Sequence, residues 1–143
     1  MYEAYDDDDT LQALALSDDE FNAEVGTLIQ EGLADGDIGY RHWWSIAHNL
    51  KMAKMELIFC REAIKQIQED PKWASEVFAV LDQWKNVPKS KERAEKWLKL
   101  LEAEDWDTIL AMNSEGLRLR ELSPMRFALP EAVSFEITRQ YYR

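Results

Sequence analysis

Lysine and arginine are missing altogether from the first 40 residues of this 143-residue chain. The same stretch holds twelve acids: Glu3, Asp6, Asp7, Asp8, Asp9, Asp18, Asp19, Glu20, Glu24, Glu31, Asp35 and Asp37. Residues 41–143 carry the remaining acids and all 17 bases and are close to neutral, so the net charge of -11 is concentrated at one end. Proteins that bind nucleic acid by bulk charge neutralise phosphate with Lys and Arg, so that class is excluded, and attachment to anionic lipid is disfavoured. Cysteine is nearly absent. Cys60 alone excludes an internal disulfide and a four-Cys zinc site. Long apolar runs are absent too, the longest strongly apolar stretch being Leu57, Ile58, Phe59 and Cys60, far short of the ~20 residues that span a bilayer. Asp6, Asp7, Asp8 and Asp9 stand where a signal peptide would carry positive charge and then an apolar segment. These absences predict a soluble cytoplasmic protein with no membrane partner. No glycine-rich phosphate loop, His-Glu-x-x-His or Gly-x-Ser-x-Gly occurs, so no cofactor is expected.

Glycine is scarce in an informative way. Gly26, Gly32, Gly36 and Gly39 lie in the acidic part and the next is Gly116, which leaves a long glycine-free middle rich in Ala, Leu, Met, Lys and Glu. Such a stretch suits helices. A hydrophobic content of 46% with six tryptophans excludes a disordered chain and suits a single helical domain over residues 1–143. Residues 1–16 read as an acidic N-terminal segment, free to move. Ser17 and Glu20 form a capping-box pattern that starts a helix, with Phe21, Val25, Leu28 and Ile29 as its apolar stripe. Asp18, Asp19, Glu20 and Glu24 crowd its first turns, where the helix dipole favours negative charge. Asp35, Gly36, Asp37, Ile38 and Gly39 read as the turn that ends it.

A central helix is predicted over about residues 40–69, with Trp43, Ala47, Leu50, Leu57, Ile64 and Ile67 on one face and Trp44, Met52, Met55 and Phe59 on another. A helix apolar on two sides is packed between neighbours. Asp70 and Pro71 are cap and first position of a third helix striped by Trp73, Val77, Leu81 and Trp84. Pro88 breaks it, and Ser90 caps a fourth that carries Ala94, Trp97, Leu98 and Leu101, with Glu92–Lys96 and Glu95–Lys99 pairs on its wet face. A short helix follows over about residues 107–112. In the last thirty residues, period-two runs admit a short β-hairpin. The helical alternative has Ser114 as a cap and Pro130 opening a final helix that buries Val133, Ile137 and Tyr141, and it is preferred. The fold class is all-α, an irregular bundle of five to seven helices around the long central one.

Candidate chemistry is thin. Asp6, Asp7, Asp8 and Asp9 offer hard oxygen ligands, but an EF-hand loop needs acids at alternate positions, a glycine at six and a glutamate at twelve. Neither this run nor Asp35-Gly36-Asp37 supplies that pattern, so no metal is expected. Arg41, followed after six residues by His48, resembles the Arg-(four to six residues)-His motif of the HEPN helical ribonucleases. That resemblance implies metal-independent RNA cleavage by Arg41 and His48 across a dimer, with the Arg stabilising phosphate charge and the His exchanging protons. The competing reading pairs Arg41 with nearby acids and packs His48 beside Trp44 and Met52. Cys60 reads as an inert core residue. The tryptophans read mainly as core, with one or two exposed at an interface. The locally basic stretch of Lys85, Lys89, Lys91, Arg93, Lys96 and Lys99 suits either a phosphate or the acidic segment.

The acidic segment is the strongest functional signal. Acids four apart on a helix rise about 6 Å, comparable in scale to the ~3.4 Å axial advance of successive phosphates on one DNA strand. A helix lined with acids therefore presents a phosphate-like field to a basic groove. The expectation is a non-enzymatic interaction protein, monomer or homodimer, that binds a basic, nucleic-acid-binding partner without itself binding nucleic acid. Its binding residues would be Asp6, Asp7, Asp8, Asp9, Asp18, Asp19, Glu20, Glu24, Glu31, Asp35 and Asp37. Its most concrete form is an inhibitor acting by charge mimicry, as phage-encoded anti-CRISPR and anti-restriction proteins do. Solubility is the competing explanation of the charge. An adaptor module that uses exposed aromatics is the alternative function.

Overall fold

A computed structural model describes the backbone of residues 5–34 and 36–141, with side chains described for residues 5–31 and 43–141. Eight α-helices follow one another among them: α1 (Asp7–Leu14), α2 (Asp18–Ala34), α3 (Gly36–Glu69), α4 (Ala74–Lys85), α5 (Lys91–Glu102), α6 (Trp106–Ile109), α7 (Ser114–Glu121) and α8 (Glu131–Tyr141). Two 3-10 turns, Pro71–Trp73 and Met125–Ala128, complete the chain. No strand occurs among the described residues, so the C-terminal hairpin does not form and the helical alternative holds. None of the described helices is long and apolar enough to cross a membrane.

The central helix is longer than expected. It runs for 34 residues from Gly36, about 51 Å, so the turn expected over residues 35–39 is helical from Gly36 onward, while Asp35 lies outside the described residues. Glycine weakens a helix by only ~1 kcal/mol per residue, which packing readily outweighs. Lys54 of α3 lies over the Phe21 ring near the start of α2, with its Nζ 5.4 Å from the ring centroid. Lys54 is about 27 Å along α3 from Gly36, so α2 and α3 run antiparallel. Around this pair, α1, α7, α8 and both 3-10 turns pack on α3, while α4 carries α5, and α6 links α5 to α7.

Several helix starts differ from expectation in instructive ways. Asp6 caps α1, its Oδ1 accepting from the Asp9 amide at 3.0 Å while Asp9 Oδ2 accepts from the Asp6 amide at 3.1 Å. This reciprocal capping box turns the tetra-aspartate run into a helix start. At α2 the Ser17 hydroxyl accepts from the Glu20 amide, and it donates its own proton to the Glu20 carboxylate at 2.9 Å. Asp70 caps the turn at Pro71 as expected, accepting from the Lys72 amide. Ser90 does not cap α5, because its hydroxyl turns back to the Trp84 carbonyl at the end of α4. Asn113, not Ser114, caps α7 through the Gly116 amide at 2.8 Å. An amide oxygen one residue earlier reaches the third amide of the helix, as an N-cap requires.

Both faces of α3 enter the core through Ala47, Leu50, Leu57, Ile64 and Ile67 on one side and Met55 and Phe59 on the other. Val77, Leu81, Ala94, Trp97, Leu101 and Ile109 join them in one continuous cluster. Trp44 departs from its expected place and is 47% exposed, and Val133 of α8 is also exposed while Ile137 and Tyr141 are buried. Lys96 reaches Glu115 of α7 at 3.6 Å rather than staying on its own helix.

Candidate functional site

The acids of the N-terminal part fall into two groups. Asp6 and Asp9 are taken up by the α1 capping box. Asp7 accepts two hydrogen bonds from Arg118 of α7, at 3.2 and 3.0 Å, and the nearby Ser114 hydroxyl and then this guanidinium hold its carboxyl below the ordinary range. Glu24 is half-buried and, after burial itself, is the next cause that raises the Tyr5 phenol to about 12. The second group is turned outward. Asp8, Asp18, Asp19, Glu20 and Glu31 are exposed and form no ion pair among the described residues. Asp35 lies outside the described residues, and Asp37 lies in α3 with its side chain outside them.

On α2 the geometry is simple. Phe21, Val25 and Leu28 are buried against α3. Glu20 and Glu31 are eleven residues apart, three turns and about 16 Å along the axis, so they lie on one side of the helix, beside the buried stripe. Asp18 and Asp19 extend that charge round the end of the helix. Asp18 also acts on Lys54 of α3 and on Tyr141 of α8, so part of this charge lies toward the packed side of the helix.

Beside α1 lies a cleft of about 570 Å³. Its floor is α3, through Ile46, Asn49, Leu50, Met52, Ala53 and Glu56, and its walls come from α1, α7, α8 and Arg126. Three guanidinium groups line it. Arg118 is matched by Asp7 and by Glu121 at 3.4 Å. Arg120 is only 2% exposed and donates through Nη1 to the Ile109 and Ala111 carbonyls at 2.8 and 2.9 Å, closing the end of α6. Burial pulls its pKa down. Arg126 lies over the Phe127 ring at 5.1 Å. Among the described residues no group donates to Oε2 of Glu56, and burial pushes that carboxyl up to about 7 despite the pull of Arg126. Among the described residues no group of three or more His, Cys, Asp or Glu is placed to hold a metal ion.

His48 stacks flat on Trp44, the ring centroids 5.2 Å apart and the planes 5° from parallel. That is the packing expected of the competing reading, while the side chain of Arg41 lies outside the described residues. Cys60 is fully buried, as expected, and burial raises its thiol to about 12 with Ser123 Oγ 3.5 Å away. Such a thiol is inert in the folded protein.

No protein-family model, curated protein or solved structure matches this chain.

Lys54, Glu56 and Arg120 are the residues that sequence reading passed over. Lys54 is 4% exposed and donates to the Leu14 carbonyl at 3.3 Å, which ties the end of α1 to α3. Its signal was its register, four residues after Leu50 and three before Leu57, both fully buried. A charged residue in the apolar stripe of a helix is either misplaced or held by a buried partner.

Proposed function

We propose that this is a non-enzymatic interaction protein whose outward acidic face, Asp8, Asp18, Asp19, Glu20 and Glu31, docks on a basic partner. The observation that carries the reading is that these five carboxylates are exposed and form no ion pair among the described residues, Asp18 alone being close enough for its charge to act on Lys54. Uncompensated like charge destabilises a folded chain and is offset when an oppositely charged surface arrives. In its most concrete form the protein is an inhibitor that occupies the nucleic-acid groove of another protein by charge mimicry, as anti-CRISPR and anti-restriction proteins do.

The test is retention of partners from a cell lysate by the full chain and by a variant with those five residues changed to Asn or Gln. Retention of a nucleic-acid-binding protein by the acidic chain alone, lost on raising salt and competed by duplex DNA, is the expected outcome. Equal retention by both chains ends the proposal and moves attention to the exposed aromatics. Phe135, 67% exposed on α8, favours that adaptor reading, and Phe135→Ser is the variant that reports on it.

A further inference from the structure

The cleft on α3 has features that the acidic face does not use. Its volume of about 570 Å³ falls in the range of small-molecule sites and far exceeds what one ion needs. The lining of α3 is ordered along the helix. Ile46, Leu50 and Ala53 form an apolar strip, and Glu56 stands at its end, one turn past Met52 and Ala53.

The charges around the cleft are unevenly satisfied. Arg118 is held between Asp7 and Glu121. Arg120 gives Nη1 to two carbonyls, while its buried Nε and Nη2 have no acceptor among the described residues. Arg126 is exposed and covers Phe127. The acceptor left without a donor among the described residues is Oε2 of Glu56, which stands at the end of the apolar strip. A buried carboxyl without a donor gains either a proton or a cationic donor. The net charge of -11 also draws cations, not anions, toward the protein surface.

We infer that the cleft is a binding site for a small amphipathic amine, its apolar part lying along Ile46, Leu50 and Ala53 and its cationic head held by the Glu56 carboxylate. This site stands apart from the acidic face and does not depend on that reading. Binding is linked to ionisation of Glu56, whose carboxyl is pushed up to about 7. The charged and titratable groups around it are Tyr5 just before α1, Asp7 of α1, Cys60 of α3, Arg118, Arg120 and Glu121 of α7, and Arg126. Of these, Tyr5 and Cys60 are pushed up to about 12, and Asp7 is held below the ordinary carboxylate range, away from the pH window that matters.

The experiment is a titration of the full chain, labelled at its methionine methyl groups, with n-hexylammonium, n-hexanol and n-hexanoate, followed by NMR at about pH 8 and about pH 5.5. Saturable shifts are expected at Met52 and Met55. At the higher pH hexylammonium should bind about tenfold more tightly than hexanol, the scale of one charge-assisted hydrogen bond. That advantage should shrink several-fold at the lower pH and vanish in Glu56→Gln, which keeps its hexanol binding. Equal binding of hexanol and hexylammonium by the unaltered chain would show an apolar hole only. Tightest binding of hexanoate would make the cleft an anion site of its guanidinium groups. Either result overturns the inference, as does absence of saturable shifts or an unchanged ranking in Glu56→Gln.

Discussion

Lys54, Glu56 and Arg120 are charged side chains in apolar surroundings, and each is held differently. Lys54 has the Leu14 carbonyl and the Phe21 ring, and Arg120 has two carbonyls at the end of α6. Replacing Lys54 by Met keeps the packing but strips the carbonyl of its donor, which is expected to cost about 1–3 kcal/mol in urea unfolding. Glu56 has no donor on Oε2 among the described residues and behaves in the opposite sense. Its folded pKa of about 7 stands above the ordinary value of 4.5. Between those values the folded chain holds a proton that the unfolded chain has released, so this group's contribution to stability is present below about pH 4.5 and is lost as pH rises through 7. Glu56→Gln should therefore match the unaltered chain near pH 4 and exceed it by about 2 kcal/mol near pH 8, part of the full linkage value being screened by solvent. An equal difference at both pH values would refute that assignment.

At the scale of elements, the helices were legible because the apolar spacing and the glycine-free middle both point the same way. Their ends were less so. Ser90 and Ser114 have the right residue type for caps, yet Ser90 is drawn to a carbonyl of the preceding helix and Asn113 sits one position better placed than Ser114. The α1 helix was hidden by its own charge. Four aspartates suggest a solvated tail until Asp6 and Asp9 are seen to serve each other's amides. Asp6→Ala is expected to lose about 1 kcal/mol, measurable as a lower urea midpoint with far-UV helicity reduced slightly. The junction between α6 and α7 is tight. A Cβ at Gly116 would overlap the Ala111 carbonyl oxygen that Arg120 uses and would stand 3.0 Å from Arg120 Nη1. Backbone cannot yield as a side-chain end can, so Gly116→Ala should destabilise by about 2 kcal/mol or more, against a few tenths for Gly26→Ala, where nothing lies within 4 Å. The cleft was not legible, because its residues come from five separated segments and none forms a local motif.

For the whole molecule the governing fact is charge asymmetry. Twelve acids within the first 40 residues repel one another, and of the described ones Asp6 and Asp9 are relieved by the α1 cap and Asp7 by Arg118. Salt screens such repulsion over about 10 Å at 0.1 M. Raising NaCl from about 10 mM to about 0.2 M should raise the melting temperature by a few degrees, read by circular dichroism, whereas a chain stabilised mainly by surface ion pairs would melt earlier. The same screening should weaken association with a basic partner, so stability and binding are expected to move in opposite directions with salt.

Cys60 turns the core into its own clock. The chain has one thiol, wholly buried on α3 and with its pKa raised to about 12, so a thiol-reactive dye can label it only after the bundle opens. Its labelling rate therefore counts openings of the fold, with no added probe and no second cysteine to confuse the count. Any ligand that binds only the folded chain must slow that clock by the factor by which it stabilises the fold. A single sealed sulfur thus makes every occupant of this protein, at the acidic face or in the cleft, measurable without knowing beforehand what it is.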